Sequence, residues 1–218
     1  MPINLESYSL ISRHFDKPLA ISLQGPFTLA SELMGVMDLV RAIIRNPQYV
    51  TDLLNYTTEV VLTYALAAVQ AGVKFLCISE PTAVLLSPPR FNQLVSDNLR
   101  KIFASIDAWK ILHVCGDTTF LMPQLINCGA EGLSLDQVVD LPGVAPRIPD
   151  EVVIIGNIDP LNVLAELTPA EIREKTLELL FNMKDYPNFI VSFGCDCLPD
   201  TPVKNLKAAM EGGRTLIK

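Results

Sequence analysis

Short runs of β-branched and other apolar residues, each followed by a longer stretch of helical periodicity, recur along this chain and constrain its fold more than any other feature. The runs are Leu19 to Leu23, Lys74 to Ser79, Trp109 to Val114, Gly132 to Leu135, Val152 to Gly156 and Asn188 to Phe193, and they predict six strands. Ile154 with Ile155, and Phe189 through Val191, are apolar on both faces, as strands of a parallel sheet covered by helices must be. Between the runs, Pro47 to Ala71 keeps Val50, Leu53, Leu54, Thr57, Val60 and Val61 on a 3.6-residue period. Pro89 to Ile106 does the same with Phe91, Leu94, Val95, Leu99 and Ile102. Thr168, Pro169 and Glu171 supply the cap, first-turn proline and acid of a helix start, and Thr201 with Pro202 repeats the device near the end. Strand, helix, strand in succession requires parallel pairing with right-handed crossovers. The expectation is an α/β fold, a TIM-barrel-like arrangement of about six parallel strands.

Half of the 218 residues are apolar, enough for one domain over residues 1–218 with a sizeable core. The formal net charge is −7 and no lysine or arginine cluster exists, so nucleic acid is not an expected partner. Met1 to Phe15 mixes Asn4, Glu6, Arg13 and His14 among apolar positions and lacks the pattern of a secretory signal. The most apolar stretch, Val60 to Val69, includes Thr63 and Tyr64 and falls well short of the ~20 residues of a spanning helix. A soluble, cytoplasmic protein without a membrane partner is expected. Gly25, Gly116, Gly156 and Gly194 follow strands singly, which weakens a nucleotide-binding reading.

Five cysteines, Cys77, Cys115, Cys128, Cys195 and Cys197, form an odd set at no disulfide-framework spacing, and direct attention to metal ligation or burial. The sharpest motif is Ile111-Leu112-His113-Val114-Cys115-Gly116-Asp117. Alternation along a strand sends positions i and i+2 to the same side, so His113 and Cys115 can grip one ion. Imidazole and thiolate are preferred zinc ligands. Ser192-Phe193-Gly194-Cys195-Asp196-Cys197 also ends a strand, and in a barrel both strand ends face the same mouth. His113, Cys115 and Cys195 are the metal candidates, with Cys197 unligated. The alternative for each is burial, and for Cys77 and Cys128 burial is the default. Glu80, Asp117, Asp136 and Asp159 gather at strand ends, where caps and support of metal ligands are their ordinary roles. Asp117 is read as the cap of a helix over Phe120 to Asn127, and Glu80 and Asp136 are the catalytic candidates.

Gly25-Pro26-Phe27-Thr28-Leu29-Ala30, His113 through Thr118, Gly132 through Asp136, Gly156-Asn157-Ile158-Asp159-Pro160 and Gly194-Cys195-Asp196 resemble the uroporphyrinogen decarboxylase superfamily, over about Leu19 to Arg214. Within it the chain is similar to the corrinoid-linked branch, the methylcobalamin:coenzyme M methyltransferases and their relatives. That resemblance implies a zinc site on a His-x-Cys pair and a distant Cys, positions occupied here by His113, Cys115 and Cys195. It implies methyl transfer from a methylcorrinoid on a partner protein to a small thiol such as coenzyme M, with Zn(2+) as cofactor. The decarboxylases usually carry Gly-His-Gly where this chain has Gly194-Cys195-Asp196. Glu80-Pro81 stands where the family more often has Asp-Pro. Family members generally carry an additional amino-terminal region, so about two of eight strands are expected to be missing, leaving a homo-oligomer or a missing amino-terminal partner chain to cover the open sheet. The rival readings are a metal-free decarboxylase and a non-catalytic truncated barrel with a structural zinc closed by Cys197.

Overall fold

The six runs become six strands because each alternates between a face that buries aliphatic side chains under helices and a face turned the other way. A computed structural model describes residues 2–215 of the chain. The strands are β1 (Leu19–Gln24), β2 (Val73–Ser79), β3 (Trp109–Val114), β4 (Gly132–Leu135), β5 (Val153–Ile158) and β6 (Phe189–Phe193). They form one sheet in the order β1-β2-β3-β4-β5-β6, every neighbouring pair parallel. Sequential order without a switch of direction is the winding of a (β/α) barrel. Among the described residues, hydrogen bonding does not return from β6 to β1, so the sheet presents two edges. No helix among the described residues is long and apolar enough to cross a membrane.

On the outer face, Leu76, Ile78, Leu112, Val114, Leu133, Leu135 and Ile154 are buried in the main core beneath the helices. Each such aliphatic side chain contributes at most about 1.5–3 kcal/mol of burial free energy. A second, smaller cluster of Ile158, Leu164, Ile172, Ala208 and Ala209 lies under the helices Pro169–Asn182 and Val203–Gly213. The inner face differs. Phe75 stacks on Trp109 with ring centroids 6.4 Å apart, yet Trp109 remains 56% and Ile190 55% exposed. In a closed barrel such residues would be packed.

The helix expected from Pro47 to Ala71 runs Pro47–Gln70, with Asn46 accepting from the Tyr49 N–H at 3.4 Å. Thr168 and Glu171 form a reciprocal capping box for Pro169–Asn182. Two local readings are corrected. Thr201 does not cap: Val203–Gly213 starts after Pro202, and the Thr201 hydroxyl is buried without a hydrogen-bond partner. Pro89 to Ile106 is not one α-helix, because Pro88–Phe91 and Asp97–Ser105 are joined by a π-helical turn over Asn92–Ser96. The extra residue per turn leaves no mark on so short an apolar pattern. Over the span read as Phe120 to Asn127, a 3-10 turn at Thr119–Leu121 leads into Met122–Ile126, and Asp117 accepts from the Thr119 N–H at 3.0 Å.

Candidate metal centre

β3 and β6 are separated in the sheet by two strands, yet the curl of the sheet brings their carboxyl ends together. Cys115 lies one residue beyond β3 and Cys195 two beyond β6, and their sulfurs stand 3.6 Å apart. That is far beyond the ~2.05 Å of a disulfide. His113 Nε2 lies 3.1 Å from the Cys115 sulfur. The three ligand atoms all fall within 4.8 Å of one another. Ligand atoms of one tetrahedral zinc stand roughly 3.5–3.8 Å apart, given bonds of ~2.0–2.3 Å. The His113–Cys115 and Cys115–Cys195 separations fall within about half an ångström of that range, so an imidazole and two thiols suit that ion.

Backbone groups hold each member. His113 Nδ1 is 3.1 Å from the Ser134 carbonyl, an acceptor, so Nδ1 carries the proton and Nε2 presents its lone pair toward the sulfurs. The register that pairs His113 with Ser134 sets this contact. Asp136, 4% exposed, accepts from the Gly116 N–H at 2.8 Å and the Val138 N–H at 3.1 Å, pinning the turn after Cys115. Asn157 donates to the Asp136 and Val139 carbonyls at 2.9 and 2.7 Å. That loop bears directly on β6: a Cβ at Gly194 would lie 2.4 Å from the Gln137 nitrogen, so only glycine admits the approach that aims Cys195 at Cys115.

The electrostatics suit a cation. Burial first, and then Cys195, push the Cys115 thiol up to about 12. Burial pulls His113 below the usual imidazole value, against the Ser134 carbonyl, Asp136 and Asp196, which raise it. The Cys115 thiol beside an imidazole whose charged form is disfavoured lacks a positive partner, and a divalent cation would reverse the thiol preference.

Glu80 and Asp136, expected at the catalytic site, do not line the cavity onto which the three ligands open. Glu80 is fully buried. Its carboxylate accepts from the Phe27 N–H at 2.9 Å and from the Thr28 N–H and hydroxyl, each at 2.8 Å, at the start of the helix Pro26–Met34. Asp159 caps the π-helical turn Pro160–Ala165. Cys128 is buried, as expected. Cys77, expected to be buried, instead lines the cavity together with Cys197. The cavity has a volume of about 620 Å³ and is also lined by Ser22, Gln24, Ser134, Ser192 and Asp196. Alternation back from Ser79 could have placed Cys77 on that face, since Cys77 pairs with Ser22 and Ser79 with His113.

The comparisons with known proteins agree on a class. The family model described as uroporphyrinogen decarboxylase (URO-D) matches residues 1–216, and the chain belongs to that family. Among curated relatives it is 30% identical to the methylcobamide:CoM methyltransferase MtaA of Methanosarcina barkeri, over 95% of this chain and 62% of that protein. It is 26% identical to a uroporphyrinogen decarboxylase of Prochlorococcus marinus, over 88% of this chain and 56% of that protein. A solved methyltransferase from Methanosarcina mazei superposes with a TM-score of 0.89 at 27% identity, covering 97% of this chain and 63% of that one. The chain thus spans under two thirds of the length of these proteins.

Proposed function

We propose that this chain carries the zinc site of a methyltransferase that moves a methyl group from a methylcorrinoid, held by a partner protein, to a small thiol. The observation that carries the reading is the convergence of His113, Cys115 and Cys195 within 4.8 Å of one another on the lining of the cavity. The names of the more similar relatives, methylcobamide:CoM methyltransferases, favour this branch of the family.

Zinc bound there would supply a Lewis acid that lowers the pKa of an incoming thiol. The chain's own residues do the rest. His113 offers Nε2 because Ser134 fixes its tautomer. Asp136 and Gly194 keep Cys115 and Cys195 facing each other. In this reading Asp136 is a positioning residue, since its oxygens accept from the turn after Cys115, and Glu80 holds the start of the helix Pro26–Met34. Phe193 and Leu23 supply apolar lining to the cavity. Decarboxylation of a polyanionic porphyrinogen is disfavoured, because neither arginine nor lysine is among the described residues lining the cavity.

The test is metal content followed by turnover. Protein purified under reducing conditions and offered zinc should hold one ion per chain, and should consume methylcobalamin only when a thiol is added. A chain that binds no zinc, or whose metal-free form transfers methyl as fast, would overturn the reading.

A further inference from the structure

We infer that Cys115 and Cys195 form a reversible oxidation site, in which a hydroperoxide joins the two sulfurs into a disulfide and so removes the ligand set. The inference rests on where the two sulfurs stand; the methyl-transfer reading supplies only the consequence of losing the ligands.

The sulfurs are in contact at 3.6 Å although 80 residues separate them along the chain. Closing from 3.6 Å to the ~2.05 Å of a disulfide requires a movement of about 1.5 Å. Cys115 lies one residue beyond β3 and Cys195 two beyond β6, so neither is held in the strand ladder, and rotation about each Cα–Cβ bond swings its sulfur. The neighbouring backbone keeps the two loops facing meanwhile: the Gly116 N–H is held by Asp136, and the Gly194 N–H donates to the Ile158 carbonyl at 2.8 Å. Both sulfur-bearing residues are half-buried on the lining of the cavity, where a small oxidant can reach them. The other cysteines are placed differently. Cys128 is buried and donates to the Leu125 carbonyl at 2.8 Å. Cys77 sits within β2, paired with Ser22 on one side and Ile111 on the other. Cys197 packs against the smaller core cluster.

In the first step one sulfur attacks the terminal peroxide oxygen. The O–O bond breaks, an alcohol (or water, from hydrogen peroxide) leaves with that thiol's proton, and a sulfenic acid remains. The second sulfur then attacks the sulfenic sulfur, the S–O bond breaks, and the hydroxyl departs as water with the second thiol's proton. The two sulfurs together give up the two electrons that the peroxide takes. Two of the three ligands are consumed at once, and His113 alone remains. The new bond also ties the end of β3 to the end of β6 across β4 and β5. Closing so long a loop restricts the unfolded chain.

The test treats reduced, metal-free protein with hydrogen peroxide, blocks the remaining thiols under denaturing conditions with an alkylating reagent, and maps the product by mass spectrometry. The expected product is a linked pair of peptides bearing Cys115 and Cys195, with Cys77, Cys128 and Cys197 alkylated. Dithiothreitol should reverse the link. Zinc uptake should be lost on oxidation and return on reduction. The midpoint of urea denaturation should rise in the oxidised protein, since the link forms without distorting the fold. Cys115→Ser and Cys195→Ser should each abolish the link, and Cys197→Ser should keep it. A link through another cysteine or to another chain, oxidation that ends at sulfinic acid, or a lowered urea midpoint overturns the inference. If the link forms while the reduced protein takes up no zinc, the inference stands and the methyltransferase reading falls. If zinc binds and no link forms, the inference falls and that reading stands.

Discussion

At the end of β2 the chain supplies a carboxylate together with every donor that carboxylate needs, whereas at the ends of β3 and β6 it gathers three ligand atoms and leaves their common partner to come from outside. Glu80 is sealed against Phe27 and Thr28, with three donors on two oxygens and no exposure. His113, Cys115 and Cys195 are half-exposed on a cavity and have mainly one another for company. Both clusters sit at the carboxyl ends of strands of the same sheet. A set of polar groups that satisfies itself holds the fold together; one that converges without satisfying itself is built to receive a ligand.

The largest expected effect separates the two clusters outright. Cys195→Ser and Cys115→Ser should each strip most of the bound zinc, since a hydroxyl that stays protonated replaces a thiolate in a three-ligand site. Both variants should unfold near the temperature of metal-free parent protein. Retained zinc in either, measured by elemental analysis, would break the contrast.

Gly25→Ala should do the opposite, costing stability while leaving the ligand set alone. A Cβ there would sit 2.2 Å from the Glu80 carboxyl carbon, so the carboxylate must leave its donors or the helix must shift. Overpacking plus orphaned N–H groups amounts to about 3–5 kcal/mol, readable by urea denaturation. Glu80→Gln keeps the shape but turns an NH2 toward a donor, and should cost about 1–3 kcal/mol. Zinc content per folded chain should be unchanged in both.

Stability should also carry the signature of Glu80 in its pH dependence. Burial raises this carboxyl from 4.5 to about 7, outweighing the three hydrogen bonds that lower it. The folded state then holds its proton where the unfolded chain has released it. Stability is therefore fully present below about pH 4.5, falls as pH rises toward about 7, and levels off above, by on the order of 3 kcal/mol. The difference in stability between parent and Glu80→Gln should contain this slope; parallel curves for the two proteins would assign the slope elsewhere.

The sequence revealed more of the open cluster than of the closed one. Strand alternation and side-chain type put His113 and Cys115 on one face, and the two strand ends on one mouth follow from parallel winding. The partners that fix them were not legible, because they depend on register and close approach. Ser134 meets His113 only through the β3–β4 pairing, and Gly194 matters because Gln137 of another loop lies against it. The surroundings of Glu80, a catalytic candidate from its strand-end position, were hidden for the same reason: nothing local says that Phe27 and Thr28, more than fifty residues earlier, will face it. The helix Pro2–His14 has no buried residue and hence no apolar period to announce it.

The smallest expected effect is the one that decides how open the metal cluster is. Cys197 lines the cavity and stands two residues from Cys195, so a fourth thiolate from it would close the site and leave no place for substrate. The structure gives Cys197 another occupation: it packs against the smaller core cluster with Phe193 and Leu206, around Ile158 and Leu164. Burial is the first cause holding its thiol above the ordinary cysteine value, followed by Asp196 and Cys195. A side chain turned toward that cluster serves as a small apolar residue, and its replacement by serine should cost no more than about 1–2 kcal/mol of stability. Cys197→Ser should accordingly keep its zinc and its thiol methylation, while Cys195→Ser loses both. Equal loss of zinc in the two variants would mean a closed, four-ligand structural site. In that case the contrast between a self-satisfied and a receptive cluster disappears, and the methyltransferase reading goes with it.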